Sequence, residues 1–154
     1  MKIVFNSSPL IFLARLDFLD KFIDGTAEFY CPECVREEIN DKSDVASQSI
    51  NVLIDSNQII SRKTNLVSLA NHLNSRLGKG ESEAISLGIE IQTDYIILDD
   101  FAARKEALRL GLSVKGTLAI IKKLHLSNQI SIDSLDKLYE QLLSLNFRVK
   151  RELF

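Results

Sequence analysis

The chain has 154 residues, 45% hydrophobic and 26% charged, and its 19 Lys and Arg against 21 Asp and Glu leave a net charge of −2. That length supports one hydrophobic core, so residues 1–154 are expected to form a single domain, and with a mean hydropathy of +0.04 the composition excludes a disordered chain. A membrane span is excluded as well, because the longest early apolar run, Leu10 to Ala14, falls far short of the ~20 residues that cross a bilayer.

Lys2 to Phe5 reads as a short apolar strand. Ser7 or Ser8 is expected to cap the next helix, with Pro9 in its first turn, where the missing N–H costs nothing. Asn6 to Pro9, then Arg15 and Asp17, interrupt the only stretch resembling a signal peptide, so a cytoplasmic protein is expected. A second helix, Phe18 to Ile23, ends at Gly25, and Ala27 to Tyr30 reads as a strand. Pro32 opens the helix Glu33 to Asn40. Helical segments at Ser43 to Ser56 and Asn65 to Leu77 flank a strand at Gln58 to Ser61, and Gly78-Lys79-Gly80 breaks the chain. There follow a helix from Glu81 to Ile91, a strand from Tyr95 to Leu98 and a helix from Phe101 to Leu110 that Gly111 stops. A strand at Ser113 to Lys115, a helix at Thr117 to Leu124 and a last helix at Ser134 to Leu145 complete the chain. Strands separated by helices predict an α/β fold with a mainly parallel sheet, because parallel neighbours need long crossovers.

Two features leave alternatives open. Cys31 and Cys34 form the chain's one Cys-x-x-Cys, readable as small half-buried residues at a helix start or as a redox pair. Phe101 to His125 carries Arg104, Lys105, Arg109, Lys115, Lys122 and Lys123 against Glu106 alone, a window of +5 in a chain of −2. It is either a solvated helical surface or a face for a polyanion.

Ligands of parallel α/β sheets bind beyond the carboxyl ends of the strands. Two apolar strands run into polar residues there, Asn6-Ser7-Ser8 and Asp99-Asp100. Helical periodicity adds two acids. Glu38 lies between Val35 and Ile39 and is expected to face inward, while Glu81 projects onto the side of Ala84, Ile85 and Gly88. Glu83 falls nearly opposite, with Ser86 and Glu90, and is expected to be solvated; it replaces Glu81 only if the helix is rotated from this estimate. Carboxylates on apolar faces are costly unless compensated. If Glu38, Glu81 and Asp99 converge with an amide or hydroxyl, they form the oxygen-rich setting that Mg²⁺ or Mn²⁺ prefers.

In order and spacing, Asn6-Ser7-Ser8-Pro9-Leu10-Ile11, Val35-Arg36-Glu37-Glu38-Ile39, Gly80-Glu81-Ser82-Glu83-Ala84-Ile85, Leu98-Asp99-Asp100 and Lys115-Gly116-Thr117-Leu118 resemble the successive signature segments of PIN-domain proteins. The resemblance is to a stand-alone prokaryotic subgroup related to VapC-type toxins. It implies a three-layer domain with four to five strands and a Mg²⁺- or Mn²⁺-dependent ribonuclease, catalytic through Glu38, Glu81 and Asp99. Asn6 and Asp100 would join these three as metal ligands, Asp100 as an alternative to Asp99. Ser8 matches the small hydroxyl residue beside the first ligand, and Thr117 is a second supporting residue. Arg104, Lys105, Lys115 and Lys122 would contact RNA. The resemblance further implies a homodimer and a small antitoxin partner, for which residues 43–77 and the terminal Arg148 to Phe154 are candidate contacts. Asn6 stands where most nucleases of the family carry Asp, which leaves a carbonyl but removes a charge. The same asparagine disfavours a phosphotransfer domain, which expects an Asp nucleophile at an early strand end.

Overall fold

The central strands form because their apolar runs are buried on both faces, and they stay short because polar residues follow at once. A computed structural model of the chain describes residues 1–145 and 147; the segment Arg148 to Phe154 lies outside the described residues. In chain order the elements are β1 (Lys2–Phe5), α1 (Ser7–Arg15), α2 (Leu19–Phe22), β2 (Glu28–Pro32), α3 (Glu33–Asn40), α4 (Val45–Asp55) and β3 (Ile59–Arg62). Then follow α5 (Val67–Asn74), α6 (Lys79–Glu90), β4 (Tyr95–Ile97), α7 (Phe101–Arg109), β5 (Val114–Lys115), α8 (Thr117–Leu126) and α9 (Leu135–Ser144).

The five strands make one sheet in the order β3-β2-β1-β4-β5, every pair parallel. Alternation along the strands sends Ile3, Phe5, Phe29, Cys31 and Ile97 to a core shared with α1, α3, α4 and α8. Val4, Tyr30, Ile96 and Leu98 point the other way, against α6 and α7. The result is the expected three-layer α/β fold. After β1 the chain builds outward through β2 and β3, and β4 returns to the other side of β1. The carboxyl ends of β1 and β4 therefore flank the crevice where such sheets bind ligands.

Three local expectations need correction. Asn6, not Ser7 or Ser8, is the N-cap of α1, and its side chain makes no capping bond because it is turned elsewhere. Gly78-Lys79-Gly80 does not break the chain: Gly78 caps α6 and the helix begins at Lys79. Nor is the far side of α6 solvated. Ser86 is fully buried and Glu83 half-buried, because α5 covers the face that the sheet leaves free, so α6 is enclosed on two sides.

Both cysteines are buried and unbonded to each other. Burial pushes the Cys31 thiol up to about 12, against the opposing Arg36 charge. Burial also raises Cys34, whose thiol donates a hydrogen bond to the Glu83 carboxylate and is opposed in ionising by its charge. These shifts run opposite to those of a reactive pair, and with both thiols buried the arrangement favours small residues at a helix start.

Candidate active site

At the end of β1, Asn6 is only 6% exposed, held by its backbone N–H to the Ile97 carbonyl of β4 at 3.4 Å. Its Oδ1 is buried without a hydrogen-bond partner among the described residues. The next residue, Ser7, donates its hydroxyl to Glu38 Oε2 at 2.9 Å. Glu38 is solvent-exposed rather than inward-facing, because it sits near the end of α3, yet this bond draws its carboxylate over the crevice.

The first turn of α6 closes the opposite wall. A Cβ on Gly80 would stand 2.7 Å from Glu38 Oε1 and 3.2 Å from Asn6 Oδ1, so only glycine lets the helix approach both oxygens. One residue on, Glu81 reaches back to accept the Gly78 N–H at 3.2 Å through Oε1, and its Oε2 is buried without a hydrogen-bond partner among the described residues. Burial raises the Glu81 carboxyl above its usual range, and the charges of Asp100 and Glu38 add to the effect while the Gly78 N–H opposes it.

The two acids after β4 turn to different helices. Asp99 turns toward α8, accepting the Thr117 N–H at 2.7 Å and the Thr117 hydroxyl at 2.5 Å. Burial raises its carboxyl, countered by those bonds and by the Arg104 charge. Asp100 caps α7, its Oδ2 accepting the Ala103 N–H at 3.0 Å, and lines the same cavity as Glu81.

That cavity, of about 290 Å³, is walled by Asn6, Ser7, Ser8, Glu38, Gly80, Glu81 and Asp100, with Gly78 and Lys79 at its rim. Of the residues expected there, Asp99 and Thr117 stand outside, bonded to each other. Ser8 is exposed at the wall, whereas Ser7 makes the bond to Glu38. The sequence suggests Ser7 as a helix cap and Gly80 as part of a chain break, and neither as a residue of the site. Their signals, a hydroxyl next to Asn6 and a glycine immediately before a candidate acid, read equally as a cap and a helix breaker.

The cationic window points elsewhere. Arg104 donates to the Leu98 carbonyl at 2.8 Å, and Lys115 lies 4.2 Å above the Tyr95 ring. Lys122 lines an apolar groove between α8 and α9, and Lys105 is exposed on α7.

Oxygen donors without partners and uncompensated charge suit a hard cation. Among the described residues no Lys, Arg or His ion-pairs with Glu38, Glu81, Asp99 or Asp100. Nor, among the described residues, do three or more His, Cys, Asp or Glu side chains alone form a group that could hold a metal. An ion in this crevice would be held by the Asn6 oxygen and one or two carboxylates and would keep several of its waters.

A family profile described as a PIN domain matches residues 2–154. No curated protein matches the chain. Among the described residues no helix is long and apolar enough to cross a membrane.

Proposed function

Since the chain belongs to the PIN-domain family, whose members are generally nucleases acting on nucleic acid, we propose that it is a metal-dependent endoribonuclease using the crevice between β1 and β4. The observation that carries this reading is the pair of buried oxygens, Asn6 Oδ1 and Glu81 Oε2, that have no hydrogen-bond partner among the described residues, with Glu81 crowded against the Asp100 carboxyl. Buried acceptors left unmade cost about 1–3 kcal/mol each, so their persistence at a strand edge calls for an external partner.

Asn6, with one or two of the carboxylates of Glu38, Glu81 and Asp100, would hold Mg²⁺ or Mn²⁺. The ion supplies neutralisation of phosphate charge and a water acidified toward neutral pH. Ser7 fixes Glu38, the Gly78 N–H fixes Glu81 and the Ala103 N–H fixes Asp100, so the acids are oriented before substrate arrives. Lys79 at the rim meets the incoming phosphate. Water oxygen bonds to phosphorus, the bond to the 3′ oxygen breaks and that oxygen takes a proton, leaving a 5′-phosphate and a 3′-hydroxyl. Asp99 contributes by holding α8 rather than by touching substrate. Single-stranded or looped RNA suits a recessed pocket best, because flexible strands can enter it.

The test is cleavage of RNA by purified protein. Activity with Mn²⁺ that chelator and Glu81→Gln both abolish supports the reading, and activity that survives both overturns it.

Asn6 favours a second reading, a PIN fold that binds RNA without cutting it. Calorimetric titration discriminates: Mn²⁺ binding to Asn6→Asp but not to the wild type would select the second reading. Resemblance to VapC-type toxins further suggests the toxin of a toxin–antitoxin pair, homodimeric and restrained by a small protein covering the acidic pocket. Growth arrest on expression, relieved by a neighbouring short reading frame, would support that role.

A further inference from the structure

A second cavity of about 210 Å³ lies beside the acidic pocket, between the loop after β3 and the helices α5 and α6. Lys79 lines both cavities, so a strand leaving the first over this side chain enters the second. Among the described residues neither Lys79 nor Lys63, on the far wall, ion-pairs with a carboxylate. Both remain available for backbone phosphate.

The inner wall carries Glu83, whose carboxylate takes the Cys34 thiol's hydrogen bond while its Oε2 is buried without a partner among the described residues, and Asn71 and Asn74 stand on the same cavity. The opposite wall is held in place. Glu90 accepts the Asn65 N–H at 2.7 Å and the Thr64 hydroxyl at 2.8 Å, fixing the loop that presents Lys63 and Thr64. The cavity is smaller than the roughly 300–1,000 Å³ clefts that take drug-sized ligands. It suits a single planar heterocycle whose edge offers a donor to Glu83.

We propose that this cavity is a nucleobase subsite, holding the base beside the scissile phosphate and selecting bases with an exocyclic amine. The proposal rests on the ribonuclease reading above for its place in catalysis. Guanine fits best, because its N1–H and N2 amine stand side by side toward a carboxylate, while its O6 and N7 can accept from an asparagine amide. Cytosine and adenine offer the amine alone. Uracil presents one N–H between two carbonyl oxygens, which the Glu83 carboxylate repels. Cation-lined passage over Lys79 supplies affinity without sequence, and Glu83 supplies the choice of base.

The experiment is an NMR titration of the full chain in EDTA with GMP, CMP, AMP and UMP. GMP is expected to shift the amides of Asn71, Asn74 and Ser82 and to bind at least about tenfold tighter than UMP. Glu83→Gln should erase that preference, since its amide presents a donor where the carboxylate accepts. Asn71→Ala, at an exposed helix position, should weaken GMP binding if Glu83→Gln does not fold. Shifts confined to α7 and α8, equal affinity for GMP and UMP, or a preference that survives both variants would overturn the subsite. Because metal is absent, the result is independent of cleavage. Base-selective binding by a protein that cuts no RNA with Mn²⁺ would leave the subsite standing and overturn the ribonuclease reading instead.

Discussion

Asp99 and Asp100 are adjacent acids with different hydrogen-bond partners, and the difference follows from where β4 stops. The strand ends at Ile97, one residue before the sequence suggests, so Asp99 is turned to the N-terminus of α8 and Asp100 to the crevice. No periodicity argument could separate two acids in a loop. Glu81, by contrast, was legible from its helical face. Asp99→Asn is therefore expected to cost about 1–3 kcal/mol of stability in urea denaturation, since it weakens charge-assisted bonds to Thr117. Asp100→Asn keeps a good helix cap and should leave the denaturation midpoint nearly unchanged while abolishing Mn²⁺-dependent cleavage. Equal loss of stability in the two variants would contradict this division.

Two elements tie the site to the fold, α6 through its first turn and the loop after β3 through Glu90. Gly80 looks like a helix breaker in sequence because its reason is a neighbour distant along the chain, the Glu38 carboxylate that a Cβ would strike. Gly80→Ala should leave stability within about 1 kcal/mol of the parent, since Ala favours the helix and the displaced atom is the end of a flexible side chain. Calorimetry should nevertheless show Mn²⁺ affinity falling at least tenfold, as a Glu38 pushed aside no longer meets Asn6. Glu90 was expected in solvent because the face of α6 opposite the sheet reads as free; α5 and the loop beside it cover that face, and Glu90 accepts from Thr64 and Asn65.

The Asn65 backbone N–H, with the Thr64 hydroxyl and the Arg62 charge, holds the Glu90 carboxyl below its ordinary 4.5, although desolvation opposes them. A depressed folded-state value means that the stabilisation is fully present above pH 4.5 and is lost as pH falls through the folded value. Thermal melts of wild type and Glu90→Gln should therefore separate by about 1 kcal/mol above pH 4.5 and converge in more acid solution. A constant difference across that range would show that Glu90 acts through packing alone.

Across the whole molecule, alternating strands and helices made the parallel sheet legible, because local apolar runs and turn residues encode it. The order of strands, and so the crevice between β1 and β4, depends on long-range pairing that no local pattern specifies. Charge was legible in amount and not in direction. Of the cations between residues 101 and 125, Arg104 binds the Leu98 carbonyl, Arg109 pairs with Glu106, and Lys115 and Lys123 lie over Tyr95 and Phe22. The acids Glu38, Glu81 and Asp100, separated widely in sequence, instead meet at one sheet edge with no cation paired to them among the described residues. The central claim is that this edge holds the catalytic ion. Its most direct test is the anomalous difference map of a crystal soaked in Mn²⁺. A peak is expected in the crevice within coordination distance of Asn6 Oδ1 and of one or two of the Glu38, Glu81 and Asp100 carboxylates, and a map with its manganese peaks elsewhere, or with none at millimolar Mn²⁺, would contradict this.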